Sequence, residues 1–129
     1  MIEVIVSYLT SAILGIMLFF SFVVAPVTFT VLSEENARKF IRKIFPYYYT
    51  VNLIASFLVL IFFIYLKTFT LSFYLILTVT LLFAVSNYFL MPLINKYRDE
   101  KKDEKFKYYH FISVLTNFIQ IIFLVIILI

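Results

Sequence analysis

The 129-residue chain is 64% hydrophobic, 21% aromatic and only 14% charged, against roughly 45–50% apolar and about 25% charged in ordinary soluble domains. A domain this small buries only about 60–70% of its surface on folding, so the excess apolar surface has to face lipid. With no Cys, one Gly and one His, disulfides, thiolate metal sites and iron–sulfur clusters are excluded and glycine-rich phosphate loops nearly so; the net charge of +4 points to a membrane surface rather than to nucleic acid, because no exposed domain gathers the basic residues.

The charges punctuate the chain. Of 18 charged residues, six fall in 34–43 and ten in 96–107, leaving only Glu3 and Lys67 elsewhere. The uncharged stretches 4–33, 44–66, 68–95 and 108–129 each exceed the roughly 18 residues that mark a spanning helix, and in hydrocarbon every backbone polar group must be satisfied within such a segment. The reading is an all-α, polytopic integral membrane protein: one domain over 1–129, four transmembrane helices near 4–32, 47–66, 70–95 and 108–129 in an antiparallel bundle.

The first segment carries no basic residue ahead of it and is too long for a signal-peptide core, so it reads as a span. Along it Ser7, Ser11 and Gly15 repeat every four residues, a small-residue seam on which a second helix can pack closely. Pro26 removes a backbone donor near its inner end and frees the carbonyl of Phe22, which predicts a bend that is either relieved by a neighbouring Ser or Thr or turns the overlong first segment onto the interface. Next, Ser33 is placed to cap a helix near 34–45, with Glu34 and Glu35 at its start and Arg42 and Lys43 at its end before Pro46. Ala37, Phe40, Ile41, Ile44 and Phe45 form its apolar face. That face suits a helix lying in the inner headgroup plane and equally one covering the ends of the bundle.

Basic residues set the orientation. Ten of the eleven lie in the first and third connections, which the positive-inside rule places in the cytoplasm, with the N-terminus, the turn at Lys67 and the C-terminus outside. The charge run 96–107 reads as a helical extension of the third or fourth span, either a plain solvated face or a dock for anionic lipid or a partner. Tyr47, Tyr48, Tyr49, Tyr108 and Tyr109 fit an inner aromatic belt.

No charged residue falls deep in a span, which removes the usual parts of proton relays, ion-coupled transporters and voltage sensors. The buried polarity is neutral. His110, Ser113, Asn117 and Gln120 share one face of the fourth span, and Asn52, Ser56 and Asn87 fall at similar depth. A cluster centred on Asn87, Ser113 and Asn117, with His110 at its mouth, is predicted; it serves either as interhelical glue or as a small pocket. One His cannot furnish both axial ligands of a bis-histidine haem within a monomer, and Met17 and Met91 belong to no ligand set. No catalytic residue, metal or cofactor is expected.

Ala25, Pro26 and Phe29, then Ala37, Phe45, Pro46 and Tyr48, resemble the hallmark of the transmembrane protein 205-like family. Asn87 and Pro92, then His110, Ser113 and Asn117, are similar to its second-half pattern. The resemblance implies a four-helix membrane protein with an amphipathic segment after the first span, and no settled biochemistry. Members often carry a Trp before the third-span proline; this chain has none, so a role resting on that ring does not transfer. The expectation is a non-enzymatic accessory or scaffold subunit of a larger membrane assembly, such as a respiratory complex, or alternatively a small-solute transporter or channel-like oligomer. Its partners would be the bilayer and a membrane protein or second copy, not nucleic acid.

Overall fold

The computed structural model describes residues 1–129, and it is helical throughout. In chain order the helices are α1 (Ile2–Phe19), α2 (Ala25–Val31), α3 (Glu34–Tyr65), α4 (Leu71–Val85), α5 (Met91–Asp99) and α6 (Asp103–Leu128). A π-helical turn, Phe20–Val24, fuses α1 to α2, and a second, Ser86–Leu90, fuses α4 to α5. The result is four continuous rods, Ile2–Val31, Glu34–Tyr65, Leu71–Asp99 and Asp103–Leu128, each long and apolar enough to cross a membrane. The chain has the make-up of a multi-pass membrane protein. Only 22 of 129 residues are buried, so a large share of the apolar side chains faces outward, and 100 of 113 backbone hydrogen bonds close inside the helices, as a chain without water around it requires.

Both π turns precede a proline. The Ala25 amide reaches back five residues to the Phe20 carbonyl, and Met91 does the same to Ser86; Pro26 and Pro92 follow at once. The wide turn absorbs the lost donor, which is the accommodation found here in place of a nearby hydroxyl: Thr28 bonds the Val24 carbonyl at 2.6 Å, not that of Phe22.

Pro46 does not end a helix. Residues 34–45 and 47–65 form one 32-residue helix, so the separate amphipathic helix expected ahead of Pro46 is the leading part of α3. Pro46 is exposed, and the carbonyl it deprives of a donor belongs to exposed Arg42 at the charged end, where water can replace the bond. At about 1.5 Å per residue α3 is about 48 Å long, well beyond a hydrocarbon core of about 30 Å. Its apolar face turns inward: Ala37 is fully buried, and Ile44 and Phe45 pack on the core, while Phe40 stays exposed.

The sequence offers no glycine for the tight turns, so lysines take the left-handed position. After α3, Lys67 has φ 53° and its amide bonds Ile64 while Thr68 bonds Phe63; after α5, Lys101 has φ 55° and its amide bonds Arg98 while Lys102 bonds Tyr97. Each is the paired closure that normally recruits Gly at a helix C-terminus. The second turn splits the charge run, giving 91–99 to the third rod and 103 onward to the fourth.

The two charged connections meet. Arg42 of α3 bonds both carboxylate oxygens of Asp99 on α5, at 2.6 and 3.3 Å, and also the Asn95 carbonyl at 3.2 Å. These hydrogen bonds hold the Asp99 carboxyl below its ordinary value of 3.8. A carboxylate so depressed contributes stability that is complete above its unfolded value and lost as pH falls through its folded value. Asp99→Asn is therefore expected to lower the melting temperature in detergent near neutral pH and to match the parent once pH falls below that window; a constant gap into acid would show that the pair does not join α3 to α5.

Candidate functional site

The first rod beyond Phe20, the leading half of α3, α5 and the first half of α6 enclose a cavity of about 350 Å³. Its inner end is closed by aromatic rings and one hydrogen-bond chain. Phe20 stacks on Tyr48 at 4.3 Å and tilts against Phe45 at 5.2 Å, and Phe45 stacks on Tyr49 at 5.6 Å. Ring pairs of this kind are worth about 0.5–1.5 kcal/mol each beyond their burial. The Tyr48 hydroxyl donates to Asn117 Oδ1 at 3.0 Å, and Asn117 Nδ2 donates to Ser21 Oγ at 3.0 Å. Three rods are thereby tied through one amide.

The outer end is cationic. Arg38, Arg42 and Arg98 supply the charge with His110 beside them, and no Asp or Glu lines the cavity. The Arg98 guanidinium lies over the Phe106 ring, 4.2 Å from its centroid, and His110 is stacked on Phe106 at 5.7 Å. Arg38 pairs with Glu34 one turn earlier, yet its Nε is buried without a partner. The fold brings together no group of three or more His, Asp or Glu side chains. The arrangement is an apolar recess with positive charge and hydroxyls at its ends.

The six polar residues expected to cluster separate into two groups, with Asn87 apart from both. His110, Ser113 and Asn117 line the cavity, as does Tyr49. Asn52 and Ser56 are fully buried elsewhere on α3 and bond carbonyls of their own helix, Tyr48 at 2.9 Å and Leu53 at 3.1 Å; Asn52 Oδ1 has no partner. Asn87 does not meet Asn117: it is half-buried in the second π turn, and the neighbouring Ser86 takes the inward position. Gln120, the last residue of the fourth-span stripe, bonds the Val79 carbonyl of α4 at 3.0 Å. Tyr48 and Tyr49, assigned to the aromatic belt, are buried at 6% and 4% exposure, whereas Tyr47 and Tyr108 stay outside.

Sequence alone does not mark Ser21, Tyr48 or the three arginines as site residues. Tyr48 had a usable signal: it stands one turn before Asn52 and two before Ser56, on the polar edge of α3. The seam of Ser7, Ser11 and Gly15 lies on the outer surface, and a methyl added at Gly15 would meet nothing within 4 Å. The inward face of α1 is instead Val6, Thr10, Ile13 and Met17.

Residues 8–103 match the family model described as a domain of unknown function, DUF4149. The chain belongs to this family. The matched segment runs from α1 to the first residue of α6, so it includes both π-turn prolines, α3 and the arginines, while His110, Ser113 and Asn117 lie beyond it. No curated protein and no solved structure matches the chain.

Interhelical hydrogen bonds in hydrocarbon average about 0.6 kcal/mol. Asn117→Leu, which breaks two of them, is expected to cost about 1–2 kcal/mol on that scale. Asn52→Leu removes an amide whose oxygen is already orphaned and should leave thermal stability in detergent unchanged or raised. Equal losses in the two variants would contradict the hydrogen-bond chain.

Proposed function

We propose that the protein is a non-enzymatic integral membrane subunit that docks on a larger membrane assembly, of which a respiratory complex is one example. In this reading the four rods are antiparallel spans, the two basic connections are cytoplasmic and the ends of the chain lie outside, as the distribution of Lys and Arg favours. The leading part of α3 then runs through the inner headgroup region with its charged face in water, and the motif resemblance to the transmembrane protein 205-like family reflects a shared architecture. No cofactor has a role in it, and no paired carboxylates or nucleophile–base set stands in the cavity to support turnover.

The observation that carries the proposal is the open seam on α1. Small residues let helix backbones approach closely, and Ser7, Ser11 and Gly15 form such a stripe on the outward face with free space at Gly15. All three residues are exposed, so the stripe is open to a helix from outside, whether another subunit or a second copy.

A small-solute transporter or channel-like oligomer is the second reading, and the cavity with His110, Ser113 and Asn117 favours it. The Phe20–Tyr48 stack and the Asn117 hydrogen bonds seal the inner end, so passage would require those groups to part.

The docking role predicts that Gly15→Leu leaves the melting temperature of the isolated protein unchanged or raised by a few degrees, because the new side chain meets no neighbour and a mid-helix Gly gives way to a better helix former. The same variant should lose the partners, or the second copy, that co-migrate with the parent in native mass spectrometry. An unchanged native complex would remove the seam from the interface.

A further inference from the structure

The cavity at the charged end has the composition of a lipid site. Its walls are mostly apolar, Phe20, Phe22, Phe45 and Ile121 among them. Its volume of about 350 Å³ is at the small end of the range of roughly 300–1,000 Å³ typical of ligand sites, room for a phosphate and the first part of one acyl chain, whose remainder would lie in the surrounding hydrocarbon. It also has a side opening. The first rod and α6 are joined at Ser21–Asn117, but beyond that point α2 packs on α3 and makes no comparable contact with α6. Phe29 on one rim and Phe118 on the other are each about half exposed, facing the hydrocarbon from which a chain would enter.

Charge supplies the other half of the recognition. Arg42 is already committed to Asp99 and the Asn95 carbonyl. Arg98 has no carboxylate partner and rests on the Phe106 ring, while Arg38, paired with Glu34 through Nη2, keeps a buried Nε–H without an acceptor. Guanidinium groups bind phosphate oxygens with paired, charge-assisted hydrogen bonds, and anionic lipid headgroups lie at the level where a span becomes a basic connection. An acidic residue would repel such a headgroup, and none lines the cavity.

We infer that this cavity binds one anionic phospholipid of the leaflet on which the basic connections lie, its phosphate held by Arg38 and Arg98 and one acyl chain seated between α2 and α6. The inference rests on the chain crossing the bilayer and is independent of the α1 seam.

The test uses the full-length protein purified in mild detergent. Phosphatidylglycerol, phosphatidylcholine and glycerol 3-phosphate are added separately and followed by thermal shift and by retained adducts in native mass spectrometry. Phosphatidylglycerol is expected to give a saturable stabilisation and a single-lipid adduct, with neither response from the other two. Arg38→Gln with Arg98→Gln should weaken it tenfold or more, since charge-assisted bonds are lost, whereas Lys105→Gln with Lys107→Gln, the same charge change outside the cavity, should not. Ala25→Phe, which fills the apolar interior and leaves every arginine, should abolish the adduct; Val114→Trp at the rim does the same if the first variant does not fold. The inference is overturned by an equal response to phosphatidylcholine, by a response to glycerol 3-phosphate alone, by equal loss in the lysine pair, or by undiminished binding to a folded cavity-filled variant.

Discussion

In hydrocarbon an unpaired polar group has no water to turn to, and this constraint governs the chain at every scale. It makes each long apolar segment a helix, and it removes the hydrophobic drive between helices, since lipid tails are as apolar as leucine. What then holds the rods together is close packing and a small number of hydrogen bonds. Asn117 ties the first, second and fourth rods through Tyr48 and Ser21, Gln120 ties the fourth to the third through the Val79 carbonyl, and Arg42 with Asp99 fastens the second to the third where water begins. Hydroxyls that reach no other rod turn back on their own helix, as Thr10 and Thr80 do toward carbonyls four residues earlier.

The same constraint explains the two π turns and, through them, the cavity. A proline inside a span leaves a carbonyl that only the protein can satisfy, and a locally widened turn is one way to do so. Placing such a turn before Pro26 and another before Pro92 changes the face each rod presents from that level onward. The cavity begins there: Phe20 and Ser21 stand at its inner end on one side, and Met91 and Ile94 follow the second turn on the other. Pro46 needs no such device because its freed carbonyl is at the exposed end of the molecule. One residue type thus has two structural outcomes, decided by whether water is at hand.

Much of the architecture is legible in the sequence because charges are so costly in lipid that they mark the ends of the rods. The outward seam and the polar stripe of α6 are also legible, since both are periodicities within one helix. What the sequence conceals is pairing between distant segments. Nothing in residues 42 and 99 separately announces their contact across 57 positions, and depth along a span does not say which way a side chain turns, which is why Ser86 rather than Asn87 points inward and why Tyr48 leaves the aromatic belt for the interior. The left-handed lysines at 67 and 101 are hidden for a different reason: with only Gly15 in the whole chain, the residue that normally betrays a helix C-terminus is missing from both turns.

All of this presumes four crossings with both basic connections at one face. Because the chain contains no cysteine, single-cysteine variants report topology without background. Phe40→Cys, Glu100→Cys and Lys67→Cys, treated with an impermeant thiol reagent in sealed vesicles of known orientation, should show positions 40 and 100 labelled from one compartment and position 67 from the other. Labelling of 40 and 100 from opposite compartments would contradict the account.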